Sequence, residues 1–367
     1  MILSGEQKCL LWLSSAEITP GRVSELSTAY HGAEGIWESF DGAGGPEFQP
    51  AAREKLRRFH SRDALDELCG RLEERNVRLL FRTDPEYPQQ LKAIADPPYL
   101  LYYAGRLSCL ERPMVAVVGT RQPSAYGQEM ACVIAQGLCD AGVCVVSGLA
   151  RGIDAAAHKG ALAVGGHTAG VLGSGINVPY PSEHTPMLRK IAGGIGLVLS
   201  EYPLDAEPVA YHFPHRNRII SGLSLGVVFV EGKIKSGGMH TVGAALSQGR
   251  EVFAVPGRVG TVGSEGPHTI LREGARIITC AGDVLDDLGL QPSLPGGDDR
   301  SGTDGLSALQ VRMLGALRTE PLNVEDLACW LCESPEALIS ELGMLEILGR
   351  VTREAGNRFA LPVSTGR

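Results

Sequence analysis

The sequence has no excess of positive charge. Lysine and arginine number 34 against 42 aspartates and glutamates, for a formal net charge of −8. That excludes a protein coated in basic side chains. It leaves a local basic pocket open, because phosphate binding depends on the field at the site rather than on the total. Any nucleic-acid reading must therefore rest on a cluster. Long apolar runs are missing too: charge or glycine interrupts each one well short of the roughly 20 residues of a membrane helix, so no membrane partner is expected. The opening MILSGEQKCLLWL lacks a basic segment before an apolar stretch and a small-residue cleavage site, so it reads as no secretory signal. Nine cysteines are an odd number, scattered through apolar runs such as those of Cys132, Cys139 and Cys144. They read as reduced, buried thiols of a cytoplasmic protein. The C-x-x-C at Cys329 and Cys332 has no second ligand pair nearby and sits in the apolar LACWLCE, so it reads as packing.

Several catalytic patterns are absent as well. There is no G-x-x-x-x-G-K-[ST] phosphate loop. GSGINV would need a third glycine at Val178 to carry the dinucleotide fingerprint. No serine sits in a G-x-S-x-G elbow, and no His, Asp or Glu set has metal spacing. Catalytic, metal and cofactor sites are therefore expected to be none.

What is present is an alternation. From about residue 76, apolar runs such as MVAVVG, VCVVSG, HTAGVLGSG, GLVLSEY, LGVVFVEG and EVFAVPG alternate with helical stretches. Strands apolar on both faces between helices describe an α/β fold, a doubly wound parallel sheet. Ahead of it, residues 1–75 read as short amphipathic helices. Behind it, 290–305 is rich in Gly, Pro, Ser and Asp and reads as a linker. Residues 306–367 then give three helices and a hairpin, the order of a winged helix. The α/β part spans 76–289.

In an open parallel sheet the ligand site lies beyond the carboxyl ends of the strands. The residues that follow each apolar run include Gly119, Thr120 and Arg121, then Ser147, Gly148 and Arg151, then Gly173 and Ser174, then Lys235, Gly237 and Gly238. Glycines expose backbone N–H groups to an anion and arginine adds a planar fork for phosphate oxygens. The rim is rich in donors and poor in nucleophile–base pairs, so it looks built to hold a polyanion rather than to cut one. Asp154 and His158 stand four apart after Arg151, with two readings open: Asp154–Arg151 pairing that orders the loop, or plain solvation.

The segments DPEYPQQLKAIADPPYLLYYAG, GTRQPSAYG, SGLARGIDAAAH, SEYP, FPHRNRIISGLS, SGGMHT and GREVFAVPG, in unbroken order, resemble the DNA-processing protein A (DprA, or Smf) family. The resemblance implies a Rossmann-like core between an N-terminal sterile-alpha-motif-like helical domain and a C-terminal winged helix. It implies a cytoplasmic, non-enzymatic protein that binds incoming single-stranded DNA and hands it to the RecA recombinase in natural transformation, acting as a homodimer through the α/β domain. Carried over, Arg121 is the main phosphate contact, Gly119 and Thr120 supply neighbouring donors, and FPHRNR contributes Phe213, Arg216, Asn217 and Arg218. Lys235, Gly237 and Gly238 line the same pocket. His184 and His268 depart from the family pattern. A second likeness, to the lysine-decarboxylase-like phosphoribohydrolases that bind nucleotides, aligns P-G-G-x-G-T-x-x-E with SGGMHTVGA. Its catalytic glutamate falls on Ala244, so no acid/base group is evident.

The third helix of the winged module, SPEALISELGMLEILG, carries Glu336, Glu341 and Glu346 and no cation. Carboxylates repel phosphates. Arg350, Arg353 and Arg358 lie on the wing, and Leu338, Leu342, Leu345 and Leu348 have core spacing. The module is expected to add little DNA affinity.

Overall fold

The structure is a computed structural model that describes residues 2–290, 306–317, 321–331, 333–354 and 357–361. Apart from Leu290, the expected linker lies outside these residues, as do Cys332 and the last six positions of the winged module.

Five helices open the chain: α1 (Gly5–Ser15), α2 (Pro20–Tyr30), α3 (Ala33–Ser39), α4 (Pro50–Arg58) and α5 (Arg62–Glu74). Starts are chemically marked. The Ser4 hydroxyl accepts from the Gln7 amide while the Gln7 side chain returns to Ser4, and prolines occupy the first positions of α2 and α4. Trp12 is wholly buried, packs edge-on against Trp37 and Phe40, and donates its indole N–H to the Leu56 carbonyl at 2.8 Å.

The sheet follows, with β1 (Arg78–Phe81), α6 (Gln89–Lys92), β2 (Leu100–Gly105), β3 (Met114–Val118), α7 (Ala125–Asp140), β4 (Cys144–Ser147) and α8 (Ile153–Ala163). It continues through β5 (Thr168–Leu172), α9 (Thr185–Gly193), β6 (Leu197–Ser200), α10 (His212–Leu223), β7 (Gly226–Phe229) and α11 (Gly237–Ser247). It closes with β8 (Glu251–Ala254), α12 (Glu265–Arg272), β9 (Arg276–Ile277) and α13 (Ala281–Asp287). The nine strands lie in the order β1-β2-β6-β5-β4-β3-β7-β8-β9. From β6 to β9 every pairing is parallel, while β2 runs antiparallel to β6 and β1 antiparallel to β2. The doubly wound reading holds, and the structure extends the sheet with an antiparallel edge.

The chain starts the parallel part at β3, winds outward to β6, then returns to lay β7 on the other side of β3. The topological switch point therefore falls between β3 and β7, where such folds open a crevice. Strands β3, β4, β5, β6 and β7 are buried at every residue, which explains their unbroken apolar runs.

The N-terminal helices share one core with the sheet. Leu11, Trp12 and Leu13 belong to the same buried cluster as Phe81, Leu100, Tyr102 and Val198. The Ser14 and Tyr102 hydroxyls lie 2.6 Å apart, and the Tyr99 hydroxyl donates to the Ile18 carbonyl.

The winged module has its own core around Met313, Leu327, Leu338, Leu342 and Leu345. It comprises α14 (Ala308–Ala316), α15 (Val324–Leu331), α16 (Pro335–Ile347) and the antiparallel pair β10 (Thr352–Glu354) and β11 (Arg358–Ala360). Leu348 departs from the expectation: it caps α16 and is 51% exposed.

Candidate nucleic-acid interface

The open face of the sheet centres on a shallow depression lined by Arg121, Gly148, Ala150, Arg151, Tyr180, Pro181 and Phe213. Three loops build it, those after β3, β4 and β5, with the first turn of α10 as the back wall. The Arg121 guanidinium lies over the Phe213 ring at 5.5 Å, and the Tyr180 ring is 5.4 Å from Phe213. Arg121 is exposed and, among the described residues, has no carboxylate partner. Tyr180 was not singled out in the sequence, although VPYP places an aromatic between prolines. Tyr211, at the entry to α10, is 69% exposed.

The loop after β4 is ordered from within. Asp154, 7% exposed, accepts from the Gly148 amide at 3.0 Å and the Ala150 amide at 3.4 Å. Arg151 instead pairs with Glu183 on the neighbouring loop. Both readings of Asp154 and Arg151 are thus replaced: the carboxylate serves the backbone, and the arginine has a different partner. His158 is fully buried; its Nδ1 lies 2.7 Å from the Thr168 hydroxyl and its Nε2 has no partner. Burial holds its pKa down at about 3, so the ring is neutral.

The structure separates the arginines of FPHRNR from the rim. Phe213, Arg216 and Asn217 share one face of α10, as residues three and four apart do, and Arg218 turns away. Arg216 is 3% exposed and donates to the carbonyls of Gly148 and Val171. Burial pushes its pKa down to about 10, against the pull of the nearby Asp154 carboxylate. A Cβ on Gly148 would lie 2.6 Å from that guanidinium. Glycine there admits a buried cation of the protein itself, a correction to the view that it serves only to bring backbone to phosphate. Arg218 bonds Glu201 at 2.6 Å and Asp96 at 3.3 Å, with its side chain 13% exposed. Neither arginine stands free for phosphate.

The remaining expected residues divide the same way. The Ser147 hydroxyl is buried and donates to the Val117 carbonyl, and that of Ser174 donates to the Val178 carbonyl. Gly173 packs against the Phe213 ring. The Thr120 amide donates to the Glu231 carbonyl at 2.7 Å, so it is not a free donor. Asn217 Nδ2 donates to the Gly237 carbonyl at 3.3 Å, tying α10 to the start of α11. Gly238 packs against Gly119, which brings that start beside the end of β3. Lys235 is exposed in the preceding turn. Of the departures from the family pattern, His184 Nδ1 lies 2.8 Å from the Leu149 carbonyl and His268 Nε2 lies 3.0 Å from the Gly257 carbonyl. Both serve the loops. Ala244 is half-buried on α11, where it offers no acid or base.

A doubly wound sheet with an exposed guanidinium on an aromatic ring, beside a second aromatic, defines a protein of the Rossmann-like class whose open face suits a phosphate-bearing chain. The chain belongs to the DNA recombination-mediator protein A family, whose model matches residues 78–289. The DprA winged helix domain matches residues 299–357. Protein Smf of Escherichia coli is 45% identical over 221 residues, 60% of this chain and 59% of Smf. The match thus spans less than two thirds of that relative. DNA processing protein DprA of Streptococcus pneumoniae is 45% identical over 202 residues, 55% of this chain and 71% of its own length. Its X-ray structure aligns at a TM-score of 0.65 and 34% identity, covering 78% of this chain and 99% of that one. A structure of DNA processing protein A from Helicobacter pylori, described for its single-stranded DNA binding mode, aligns at a TM-score of 0.53 and 30% identity, covering 58% and 95%. Among the described residues, no helix is long and apolar enough to cross a membrane.

Proposed function

We propose that this chain is a recombination mediator that binds single-stranded DNA across the loops after β3, β4 and β5. The observation that carries the reading is Arg121, exposed, without a carboxylate partner, and seated on Phe213 beside Tyr180. A backbone-tracking cation next to rings on which bases stack is the recurring design of single-strand binding; each stacked base is worth about 1–3 kcal/mol. Lys235 and the start of α11 extend the track. Arg151 joins it by exchanging Glu183 for a phosphate, since an exposed ion pair is held by only about 0–1 kcal/mol. Ser147, Ser174, Gly173, Arg216 and Arg218 act behind the track, as its scaffold.

Membership of a recombination-mediator family supports the wider reading, in which the DNA-bound protein works as a cytoplasmic homodimer, passes the strand to RecA and serves natural transformation. It acts without catalytic turnover. The test is an anisotropy titration of the full chain with a single-stranded oligonucleotide and a duplex of equal length at fixed salt. Preference for the single strand, lost in Arg121→Ala, is expected. Equal affinity for both, or an unaffected Arg121→Ala, overturns the reading.

A further inference from the structure

The crevice at the switch point is where a doubly wound fold ordinarily receives a pyrophosphate, on the N-terminus of the helix after the first strand. Here that helix is α7, and a carboxylate of the protein itself is bound at its cap. Glu231, just past β7, reaches across the switch point, where its Oε2 accepts from the Ser124 amide at 2.8 Å and from the Ser124 hydroxyl at 3.2 Å. Ser124 is the cap of α7, and its hydroxyl in turn accepts from the Gly127 amide at 3.1 Å. The carboxylate lies in a slot between two glycines. A Cβ on Gly127 would collide with Oε2, and one on Gly263 with Oε1. The same residue's carbonyl takes the Thr120 amide.

We propose that Glu231 is a resident anion and a specificity-determining residue: it fills the phosphate position of a nucleotide crevice and so turns free nucleoside diphosphates and dinucleotides away from this fold. Three observations converge on it. The carboxylate takes the amide and the hydroxyl of Ser124, the cap of that helix. It places a negative charge where a phosphate would come, and like charges at contact repel strongly when partly removed from water. The cation–aromatic depression is displaced to the β3–β5 side, and neither Lys nor Arg pairs with Glu231 among the described residues. That this displaced depression holds a DNA strand rests on the function proposed above. The exclusion of nucleotides does not.

The test is calorimetric titration of the full chain with ADP, with NAD as a second ligand. The native protein is expected to show no saturable binding at millimolar ADP. Glu231→Ala, which vacates the slot, should gain saturable binding by at least about tenfold in affinity. Glu231→Gln, which removes the charge but keeps an acceptor for Ser124, should gain less. A cooperative thermal transition certifies each variant; if the alanine variant does not fold, the glutamine variant decides in the same way. Submillimolar binding of ADP by the native chain overturns the proposal, and so does a folded variant with no gain. Single-strand binding is measured separately on the native chain, so failure there strikes the DNA reading and leaves the ADP result intact.

Discussion

Arg121 and Arg216 come from two motifs that look alike in sequence, each an arginine beside small or polar residues in the same α/β unit. In the fold they are opposites. Arg121 stands in water on an aromatic ring with no carboxylate partner among the described residues, whereas Arg216 is sealed beneath Gly148, its Nη1 donating to two backbone carbonyls and its Nε buried without a partner. One is free to meet a ligand at small cost to the fold. The other holds the loop after β4 in place, and carbonyls and the Asp154 carboxylate surround its charge. Burial and partners, more than residue type, divide binder from scaffold.

The sharpest way to break this comparison is to truncate the buried member. Arg216→Ala should cost about 3–5 kcal/mol, because it removes the positive charge near the buried Asp154 carboxylate and leaves the Gly148 and Val171 carbonyls without their donor. Chemical denaturation measures it, and a loss below about 1 kcal/mol would return Arg216 to the surface class. A second buried group, His158, ties stability to pH. Its folded pKa, about 3, lies below the ordinary 6.5, so the unfolded chain binds the extra proton in between. Stability should therefore be complete above pH 6.5 and fall as pH drops toward 3. His158→Phe should flatten that part of the curve in a pH series of denaturant melts.

On the exposed side, Arg121→Ala should leave the melting temperature nearly unchanged and weaken single-strand binding by about tenfold. Its salt dependence should fall by about 0.7 in slope, one phosphate's share. An unchanged slope in a mobility-shift series removes Arg121 from the track. The smallest effect is expected from the winged module. Glu336 and Glu346 are exposed on α16 and that helix carries no cation, so deleting residues 290–367 should change affinity for single strand or duplex by less than about tenfold. A larger loss in either titration would make the module a DNA-binding domain.

Much of the fold was readable in the chain because β3 to β7 are buried on both faces, and such strands must be written as continuous apolar runs. The edge pair β1 and β2 was not, since proline punctuation hides their direction. In the site, Arg121 was readable from the strand end that precedes it. The burial of Arg216 was not: helical spacing put it on the face of Phe213, but only the third dimension shows Gly148 closing over it. Glu231 had a signal, an acid ending the apolar VFVEG, yet nothing in one dimension shows it reaching Ser124 across the crevice.

The shared core of the N-terminal helices and the sheet has a practical bearing on how this chain can be divided. Composition places a seam near residue 75, and a cloning boundary there looks natural. Yet Trp12 and Leu13 cover the same cluster as Phe81, Leu100 and Tyr102. A fragment beginning at the seam would wear that cluster on its outside, and an apolar patch of this kind invites self-association. Oligomers measured on such a fragment would then report the cut, not the protein.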